Sequence, residues 1–336
     1  MAITSHDVAR LAGVSQPTVS RALRGDKRVS EATRQRVAQA ADALGYIPSE
    51  AGRSLSTRAT KRVGVMVTDL TNPFYPHLIG PLHDELERLG YRMMLFAERS
   101  ESAAADERLL DRSIDGVVLA TATVDTALPA ELRRRGMPFV FLNREAAGAG
   151  NDAAIVDNEA GGRMVAEELV RLGHREIAII AGPQSTTTGR DRELGFRYAL
   201  AEAGIGLPAG RVRRGPFSFE TGYDSLAALL GQRPVPTAIF CGNDVIAIGA
   251  LNAAMRDGVR VPDDLTLIGF DDLPMAGWEA FDLSTVRYDL NAMATAAAAL
   301  LVERIEGRGE ATGEDDGPRR LVFPPLLVLR GTHRPR

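Results

Sequence analysis

The N-terminal part of the chain contains the run Ala12-Gly13-Val14-Ser15-Gln16-Pro17-Thr18-Val19-Ser20-Arg21-Ala22-Leu23. Apolar residues before Gly13 have the spacing of one helix face, and glycine favours a helix end. Ser15 is a residue type that caps helix N-termini, and the apolar residues after it again have helical spacing. Pro17 is compatible with a helix there, because an N–H in the first turn has no intrahelical partner. The run therefore predicts a helix, a tight turn and a second helix.

The flanking residues extend this pattern to three short helices. Thr4 precedes Asp7 by three positions, which suits a cap at the start of the first helix. Ser30 can cap a third helix, and Gly45 fits the position just past its end. The apolar faces are expected to consist of Val8, Leu11, Ala12, Val19, Ala22, Leu23, Val37, Ala40, Ala41 and Leu44.

Charge distinguishes this head from the rest of the chain. Residues 1–62 contain eleven Lys and Arg against five Asp and Glu, a net charge of +6, whereas the whole chain of 336 residues carries −4. A basic head on an acidic body is typical of DNA binding, because contacts to backbone phosphates supply most of the sequence-independent affinity. A solvated surface without a partner is the alternative interpretation of the same charges.

These residues resemble the lactose and galactose repressor family of bacterial transcription regulators. The family signature, a helix-turn-helix of the form D-V-A-x-x-A-G-V-S-x-x-T-V-S-R, matches residues 7–21, with Leu11 as a mild variation. Counterparts continue through 29–30, 43–48 and 53–55 and nearly to the C-terminus. The resemblance implies an α/β protein with a three-helix helix-turn-helix head and a hinge, followed by two doubly wound parallel-sheet lobes of periplasmic-binding-protein type.

Helix-turn-helix proteins place the second helix in the major groove of DNA, with its early residues at base edges. Gln16, Pro17 and Arg21 are then expected at the bases. Because the proline side chain forms no hydrogen bonds, direct readout depends on Gln16 and Arg21. The full set of expected DNA-binding residues is Ser15, Gln16, Pro17, Thr18, Ser20, Arg21, Arg24, Arg28 and Leu55.

Residues 49–58 have the spacing of one or two helical turns followed by a basic linker, and so short a helix is unstable alone in water. The resemblance implies a hinge helix that folds on operator DNA and inserts Leu55 into the minor groove. Gly52 stands where the family usually has alanine, and glycine costs about 1 kcal/mol more in a helix. We therefore expect a looser hinge, with a plain interdomain linker as the alternative.

From residue 62 onward, short apolar strands alternate with helices, which predicts parallel sheets covered on both faces. We expect a DNA-binding domain at 1–48, a hinge at 49–61 and an effector-binding and dimerisation body at 62–336. The body contains two strand-helix series of similar length, which indicates two lobes. The first lobe is expected to comprise about 62–157 and 288–320, and the second about 158–287 and 321–330.

Polar and aromatic residues follow several of the predicted strands. Ligands of open α/β sheets bind at the carboxyl ends of the strands, and aromatic rings combined with carboxylates, amides and arginines suit sugars and other polyols. Arg190, Asn243 and Asp271 match effector-site positions of the family, although Arg190 could also be a surface ion-pair residue. The expected effector-binding residues are Phe74, Tyr75, Arg99, Asn143, Arg144, Arg190, Phe217, Asn243, Asp271 and Tyr288.

Other chemistries have weak sequence support. No phosphate-binding loop and no nucleophile turn of the form G-x-S-x-G occurs, so neither a cofactor nor catalytic residues are expected. The potential metal ligands are scattered, which disfavours a metal site; they are His6, His77, His83, His174, His333 and Cys241. No apolar run approaches 18 residues and no leader is apparent, so we expect a cytoplasmic protein without a membrane partner.

Three classes of function remain: a ligand-responsive DNA-binding regulator, a solute-binding receptor for a transporter, and a two-lobed enzyme. A receptor would not need the basic head, and an enzyme would need a catalytic constellation. We therefore expect a repressor that binds a near-palindromic DNA operator as a homodimer and responds to a sugar or polyol. Too few residues follow Leu329 for a coiled coil, so no tetramer is expected.

Overall fold

The structure is a computed structural model that describes residues 3–23, 25–46, 59–97, 113–148, 150–307 and 317–336. These residues form two compact units, which lie within Met1–Thr60 and Lys61–Arg336 and which we name the head and the body. Three of the expected site residues, Arg24, Leu55 and Arg99, lie outside the described residues, and so does the expected hinge helix.

The described part of the head contains helices α1 (Ser5–Ala12), α2 (Gln16–Leu23) and α3 (Glu31–Leu44). Thr4 and Asp7 form a capping box at α1, in which the Thr4 backbone N–H donates to Asp7 Oδ2 at 3.0 Å. The side chain of Ser30 caps α3. Gly13 and Gly45 end α1 and α3 with φ of 64° and 60°, a left-handed conformation that glycine adopts without strain. The predicted helix signals are confirmed.

The core of the head differs from the predicted one at two leucines. Leu11 is 57% exposed and Leu23, the last residue of α2, is 36% exposed. In α1 the buried stripe runs through Val8, Ala9 and Ala12, and at 100° per residue Leu11 projects from its flank. Ala9 therefore takes the inward position that the sequence pattern assigned to Leu11.

The body alternates strands and helices as predicted. Its strands are β1 (Arg62–Val67), β2 (Arg92–Ala97), β3 (Gly116–Leu119), β4 (Phe139–Leu142), β5 (Ala153–Val156), β6 (Ile177–Ala181), β7 (Val212–Arg214), β8 (Ala238–Cys241), β9 (Thr266–Ile268), β10 (Thr285–Arg287), β11 (Arg320–Phe323) and β12 (Leu326–Val328). Its helices are α4 (Phe74–Arg88), α5 (Leu128–Arg134), α6 (Asn158–Arg171), α7 (Thr187–Glu202), α8 (Phe219–Leu230), α9 (Asp244–Arg256) and α10 (Leu290–Ile305).

The strands form two parallel sheets, one for each lobe. The first-lobe sheet has the order β11-β5-β4-β3-β1-β2, and the second-lobe sheet has the order β7-β6-β8-β9. Most of these strands are buried along their whole length because helices cover both faces. Strand β11 pairs with β5 throughout, so the first lobe extends past the expected limit at residue 320. Strands β10 and β12 form a separate antiparallel pair.

The residues after β12 are part of the second lobe. Thr332 Oγ1 donates to the Leu267 carbonyl at 2.7 Å, and the Arg336 N–H donates to the Leu172 carbonyl at 2.9 Å. The buried His174 ring lies 3.1 Å from the Arg334 carbonyl. The end of the chain therefore packs as a structural element. No helix in the described ranges is long and apolar enough to span a membrane.

Candidate functional site

A small cavity lies where the two lobes of the body meet. Its volume is about 20 Å³, which is room for roughly one water molecule. Its residues follow the carboxyl ends of strands in both lobes, where open α/β sheets bind ligands. The first lobe contributes Asn72, Phe74, Tyr75, Asn143 and Arg144, and the second contributes Thr188, Arg192, Phe217, Asn243 and Asp271.

Arg192 is held rigidly in this cavity. Its Nη2 donates to Asp271 Oδ1 at 2.9 Å, its Nε to Asn158 Oδ1 at 2.8 Å, and its Nη1 to the Gly242 carbonyl at 2.8 Å. The guanidinium carbon lies 3.7 Å from the centre of the Phe270 ring. With its position fixed from three sides, Arg192 is preorganised to orient a polar ligand.

Asp271 occupies a strained position beside Arg192. Its φ is 113°, and that of the next residue, Asp272, is 49°. Left-handed conformations of non-glycine residues cost about 1–3 kcal/mol each and are typical of functional sites. Burial raises the pKa of the Asp271 carboxyl, although the positive charge of Arg192 opposes the shift. The Tyr288 hydroxyl donates to Asp271 Oδ1 at 3.1 Å and so supports the carboxylate from outside the cavity lining.

Two first-lobe residues carry polar groups into the cavity. Asn143 is buried with φ of 68°, and its Oδ1 has no hydrogen-bond partner among the described residues. An unsatisfied buried oxygen of this kind is costly, and a ligand hydroxyl would satisfy it. Asn72 Nδ2 donates across the cleft to the Phe217 carbonyl at 2.8 Å. The centre of the Phe217 ring lies 5.4 Å from the guanidinium carbon of Arg144 and 5.9 Å from that of Arg192.

The structure places seven of the expected effector-binding residues in the cavity lining: Phe74, Tyr75, Asn143, Arg144, Phe217, Asn243 and Asp271. Tyr288 lies behind Asp271 and contributes through it. The side chain of Asn243 also caps α9, where it accepts from the Ile246 N–H at 2.9 Å. Its hydrogen-bonding capacity toward a ligand is therefore partly used within the fold.

Arg190 does not lie in the cavity, and this expectation is corrected. Its side chain is 44% exposed and pairs with Asp191 at 2.7 Å. Because α7 begins at Thr187, Thr188 and Arg192 stand four positions apart on the helix face toward the cavity, whereas Arg190 projects from another face. The cavity lining also contains Asn72, Thr188 and Arg192, which the sequence pattern did not single out from the polar residues beside them. Thr188 and Arg192 are four residues apart, which places both side chains on one face of a helix. This spacing is the sequence signal that could have identified them.

The head presents most of the expected DNA-binding residues on its surface. Ser15, Pro17, Arg21 and Arg28 are exposed, whereas Gln16, Thr18 and Ser20 are half-buried. Gln16 Nε2 donates to Ser5 Oγ at 3.2 Å, which holds its amide against α1. Ser15 and Thr18 bond to each other through their hydroxyls at 2.8 Å, as residues at a helix N-terminus do. Arg28 pairs with Asp26 at 2.7 Å.

Two family models match the chain, one in each unit. Residues 4–49 match bacterial regulatory proteins of the lacI family, and residues 166–333 match the periplasmic binding protein-like domain. The HTH-type transcriptional regulator CelR of Thermobifida fusca is 35% identical, over 96% of this chain and 96% of its own length. The ribose operon repressor of Escherichia coli (strain K12) is 33% identical, over 98% of this chain and 99% of its own. The chain belongs to the lacI family of bacterial regulatory proteins.

Solved structures of lacI-family proteins share the fold over nearly the whole chain. The lac repressor dimer bound to operator and the anti-inducer ONPF has a TM-score of 0.86 and 28% identity, over 99% of this chain and 100% of that one. The CelR–cellobiose complex has a TM-score of 0.74 and 32% identity, over 98% and 99% of the two chains. The family resemblance and the α/β fold class are confirmed. This lacI-family member is a ligand-responsive DNA-binding transcriptional regulator, as its relatives are, and not an enzyme.

Proposed function

We propose that this regulator is a repressor that binds near-palindromic operator DNA as a homodimer and is controlled by a sugar or related polyol between its lobes. In this proposal residues 1–48 bind DNA, 49–61 form the hinge, and 62–336 bind the effector and dimerise. The main support for this proposal is the buried polar cavity, which is lined by residues of both lobes. A protein of this function works in the cytoplasm, where the DNA lies.

The chemistry of the cavity favours a polyhydroxylated effector. The rings of Phe74 and Phe217 can pack against the C–H face of a sugar. The amide of Asn143 and the paired Arg192 and Asp271 can take adjacent hydroxyl groups. Cellobiose in the CelR complex and the ribose operon repressor among the relatives also support a sugar. We propose Arg99 as a further effector-binding residue.

The size of the cavity implies that ligand binding and lobe arrangement are linked. Ligand pockets usually enclose about 300–1,000 Å³, far more than the space present here. A sugar therefore has to bind a form in which Phe217 and the facing first-lobe residues are farther apart. A ligand that prefers one lobe arrangement shifts the equilibrium toward it, which gives the protein a means to change DNA affinity.

On the DNA side, we assign Gln16 and Arg21 to base edges and Ser15, Thr18, Ser20, Arg24 and Arg28 to phosphates, with Pro17 packed close to the bases. The surface exposure of Arg21 and Arg28 supports this assignment. Leu55 is proposed as the minor-groove wedge. Leu55→Ala should then weaken operator binding and leave sugar affinity off DNA unchanged.

Dimerisation has a candidate surface on the body. An open groove of about 820 Å³ is lined by residues of both lobes, among them Pro81, Pro274 and Leu326. Leu326 is 59% exposed, and the nearby segment carries Trp278 at 58%. Leu326→Lys should shift sedimentation toward the monomer at micromolar concentration. The control Met255→Lys, at an equally exposed apolar residue on α9, should remain dimeric.

The effector proposal is tested by thermal unfolding of the full chain with cellobiose, ribose and related sugars. A ligand that binds only the folded state at 100 times its Kd stabilises it by about 2.7 kcal/mol and raises the Tm. Arg192→Met should remove the shift, whereas Arg190→Met should keep it. If no sugar or polyol raises the Tm, the effector class is wrong. If the protein selects no sequence from a random DNA library, the operator-binding function is wrong.

A further inference from the structure

Lys61, the first residue of the body, is fixed by an unusual set of contacts. Its Nζ donates to the Tyr91 hydroxyl and to Glu306 Oε1, both at 3.0 Å, and lies 4.2 Å from the centre of the Tyr91 ring. Its backbone N–H donates to Asp115 Oδ2 at 2.7 Å. These contacts hold Lys61 at φ 53°, which is uncommon for a residue with a side chain. The point where the linker enters the body is therefore tightly defined.

Glu306 reaches Lys61 from the end of α10. This helix has 16 residues and is therefore about 24 Å long. Its sequence is dominated by alanine and leucine, the residues with the strongest helix propensity. One face, which includes Met293, Ala297 and Leu301, is fully buried, and the helix packs on α4 and on strands of the first-lobe sheet. These properties favour movement of α10 as a rigid rod.

The other end of α10 adjoins the effector cavity. Asp289 caps the helix by accepting from the Ala292 N–H at 2.8 Å. Tyr288, the residue before the cap, donates its hydroxyl proton to Asp271 Oδ1 at 3.1 Å. Asp271 is the carboxylate that pairs with Arg192. The residue before the cap of α10 therefore bonds to a cavity carboxylate, and the residue after its last turn, Glu306, bonds to Lys61.

The end of α10 is also locked to the strand beside Lys61. A Cβ on Gly116 would lie 2.8 Å from Ile305 Cδ1, closer than carbon atoms tolerate. Gly116 begins β3 and directly follows Asp115, whose carboxylate accepts the Lys61 N–H. The close approach of α10 to β3 thus makes Ile305, Asp115 and Lys61 parts of one packed junction.

We propose that α10 is the rod through which the state of the effector cavity reaches the DNA-binding head, and that Lys61 and Glu306 pass its displacement to the linker. A lobe movement that shifts Asp271 and Tyr288 moves α10, and the Lys61 contact transmits that movement to the preceding residues. Lys61 and Glu306 are positioning residues, since neither touches the effector cavity. This inference rests on the proposed ligand-responsive repressor function.

The test is a double-mutant cycle on DNA affinity, with full-length protein and the fragment that the wild type selects from a random library. Asp271→Asn perturbs the cavity, and Tyr288→Phe is a milder change at the same end of α10. In the wild-type background Asp271→Asn should change specific affinity by about 5- to 150-fold, the usual range of allosteric coupling. In a Lys61→Met background the same change should alter specific DNA affinity by less than about twofold. A difference this small is within the scatter found for sites that do not interact.

Two control backgrounds separate transmission from general damage. Lys61→Arg keeps the positive charge and should largely restore the effect of Asp271→Asn. Arg134→Met removes a surface ion pair with Glu131 in the same lobe and should leave that effect as it is in the wild type. The Tm of each variant identifies any protein that has lost its fold, in which case Tyr288→Phe replaces Asp271→Asn and Glu306→Gln replaces Lys61→Met.

Each outcome decides between the two proposals. The α10 connection is overturned if Asp271→Asn changes DNA affinity equally in the wild-type and Lys61→Met backgrounds. The α10 connection is also overturned if Asp271→Asn and Tyr288→Phe both fold and change specific DNA affinity by less than about twofold in the wild-type background. A wild-type protein that selects no DNA sequence instead overturns the repressor function on which the inference rests.

Discussion

Arg192 Nη2 lies 2.9 Å from Asp271 Oδ1, and both side chains are only 4% exposed. An intact ion pair this deeply buried adds little net stability, because both charges have lost their hydration. Removal of one partner is far more costly, since it leaves the other charge alone in the interior. The pair therefore makes the fold of the second lobe sensitive to a single charge in the cavity.

We expect Arg192→Met to lower the free energy of unfolding by about 3 kcal/mol, near the lower end of the range for a broken buried pair. The loss is moderated because Asp271, whose pKa burial already raises, can take up a proton. Urea unfolding at pH 7.5 measures the change. Arg190→Met, at an exposed side chain on the same helix, should stay within about 0.5 kcal/mol of the wild type. Equal losses in the two variants would contradict this account.

His174 should make stability depend on pH. Burial lowers the pKa of its imidazole, which lies 2.9 Å from Thr237 Oγ1 and 3.1 Å from the Arg334 carbonyl. The unfolded chain then binds the proton first as the pH falls below about 6.5, the ordinary histidine pKa. Above this pH the neutral His174 ring contributes its full share to the stability of the folded protein. This contribution is lost as the pH falls toward the pKa of His174 in the folded state, which is lower than that in the unfolded chain.

The measurement for His174 is the Tm between pH 7.5 and 5.0. The wild type should lose stability across this window, and His174→Gln should show a flatter dependence with a lower Tm at pH 7.5. His83→Gln, at an exposed histidine on α4, should keep the wild-type slope. A His174→Gln profile parallel to that of the wild type would assign the pH dependence to other groups.

Gly162→Ala should damage the cavity through the backbone. A Cβ at Gly162 would lie 2.0 Å from the Arg192 carbonyl oxygen, so α6 and α7 would have to separate. Overpacking of this kind typically costs about 1–3 kcal/mol. We expect a lower Tm and, because Arg192 moves with its backbone, weaker effector binding. Gly206→Ala, where a Cβ meets open space, is the control and should change neither property.

Arg21→Ala tests base reading by the head. Loss of a bidentate arginine–guanine contact costs about 1–3 kcal/mol and relaxes preference at one base pair. Affinities for the selected operator and for random DNA, measured at one salt concentration, separate this from loss of a phosphate contact. Arg36→Ala, at an exposed arginine of α3, should affect both DNAs alike. If Arg21→Ala weakens both DNAs equally, Arg21 contacts only phosphate.

The local signals in the sequence predicted the helices of the head well, because capping depends on a few adjacent residues. Thr4, Ser30 and Gly45 act where their chemistry placed them. The alternation of strands and helices likewise predicted the layers of the body. The limit of the first lobe at residue 320 was less accurate, since β11 and β12 are separated by only two residues and pair in different sheets.

The cavity was predicted at the right edge of the sheets, but the arginine of α7 that lines it was not distinguished from a neighbouring arginine on the surface. Arg190 and Arg192 have the same charge and are two positions apart, so only the start of α7 determines which of them faces the cleft. That start is set by the cap at Thr186, and the sequence pattern alone did not fix it. The pairing of Arg192 with Asp271 is a contact across 79 positions of the chain, which no local pattern contains.

The packing of the C-terminal residues has a consequence for how the protein is made. Domains fold largely as units during synthesis, the N-terminal ones first. The head can therefore form while the ribosome is still translating the body. Neither lobe can be completed then, because β11 closes the first-lobe sheet and Thr332 bonds to Leu267 in the second lobe. A nascent chain thus carries a folded DNA-binding head before residues 320–332 have been added to the two lobes of its regulatory body.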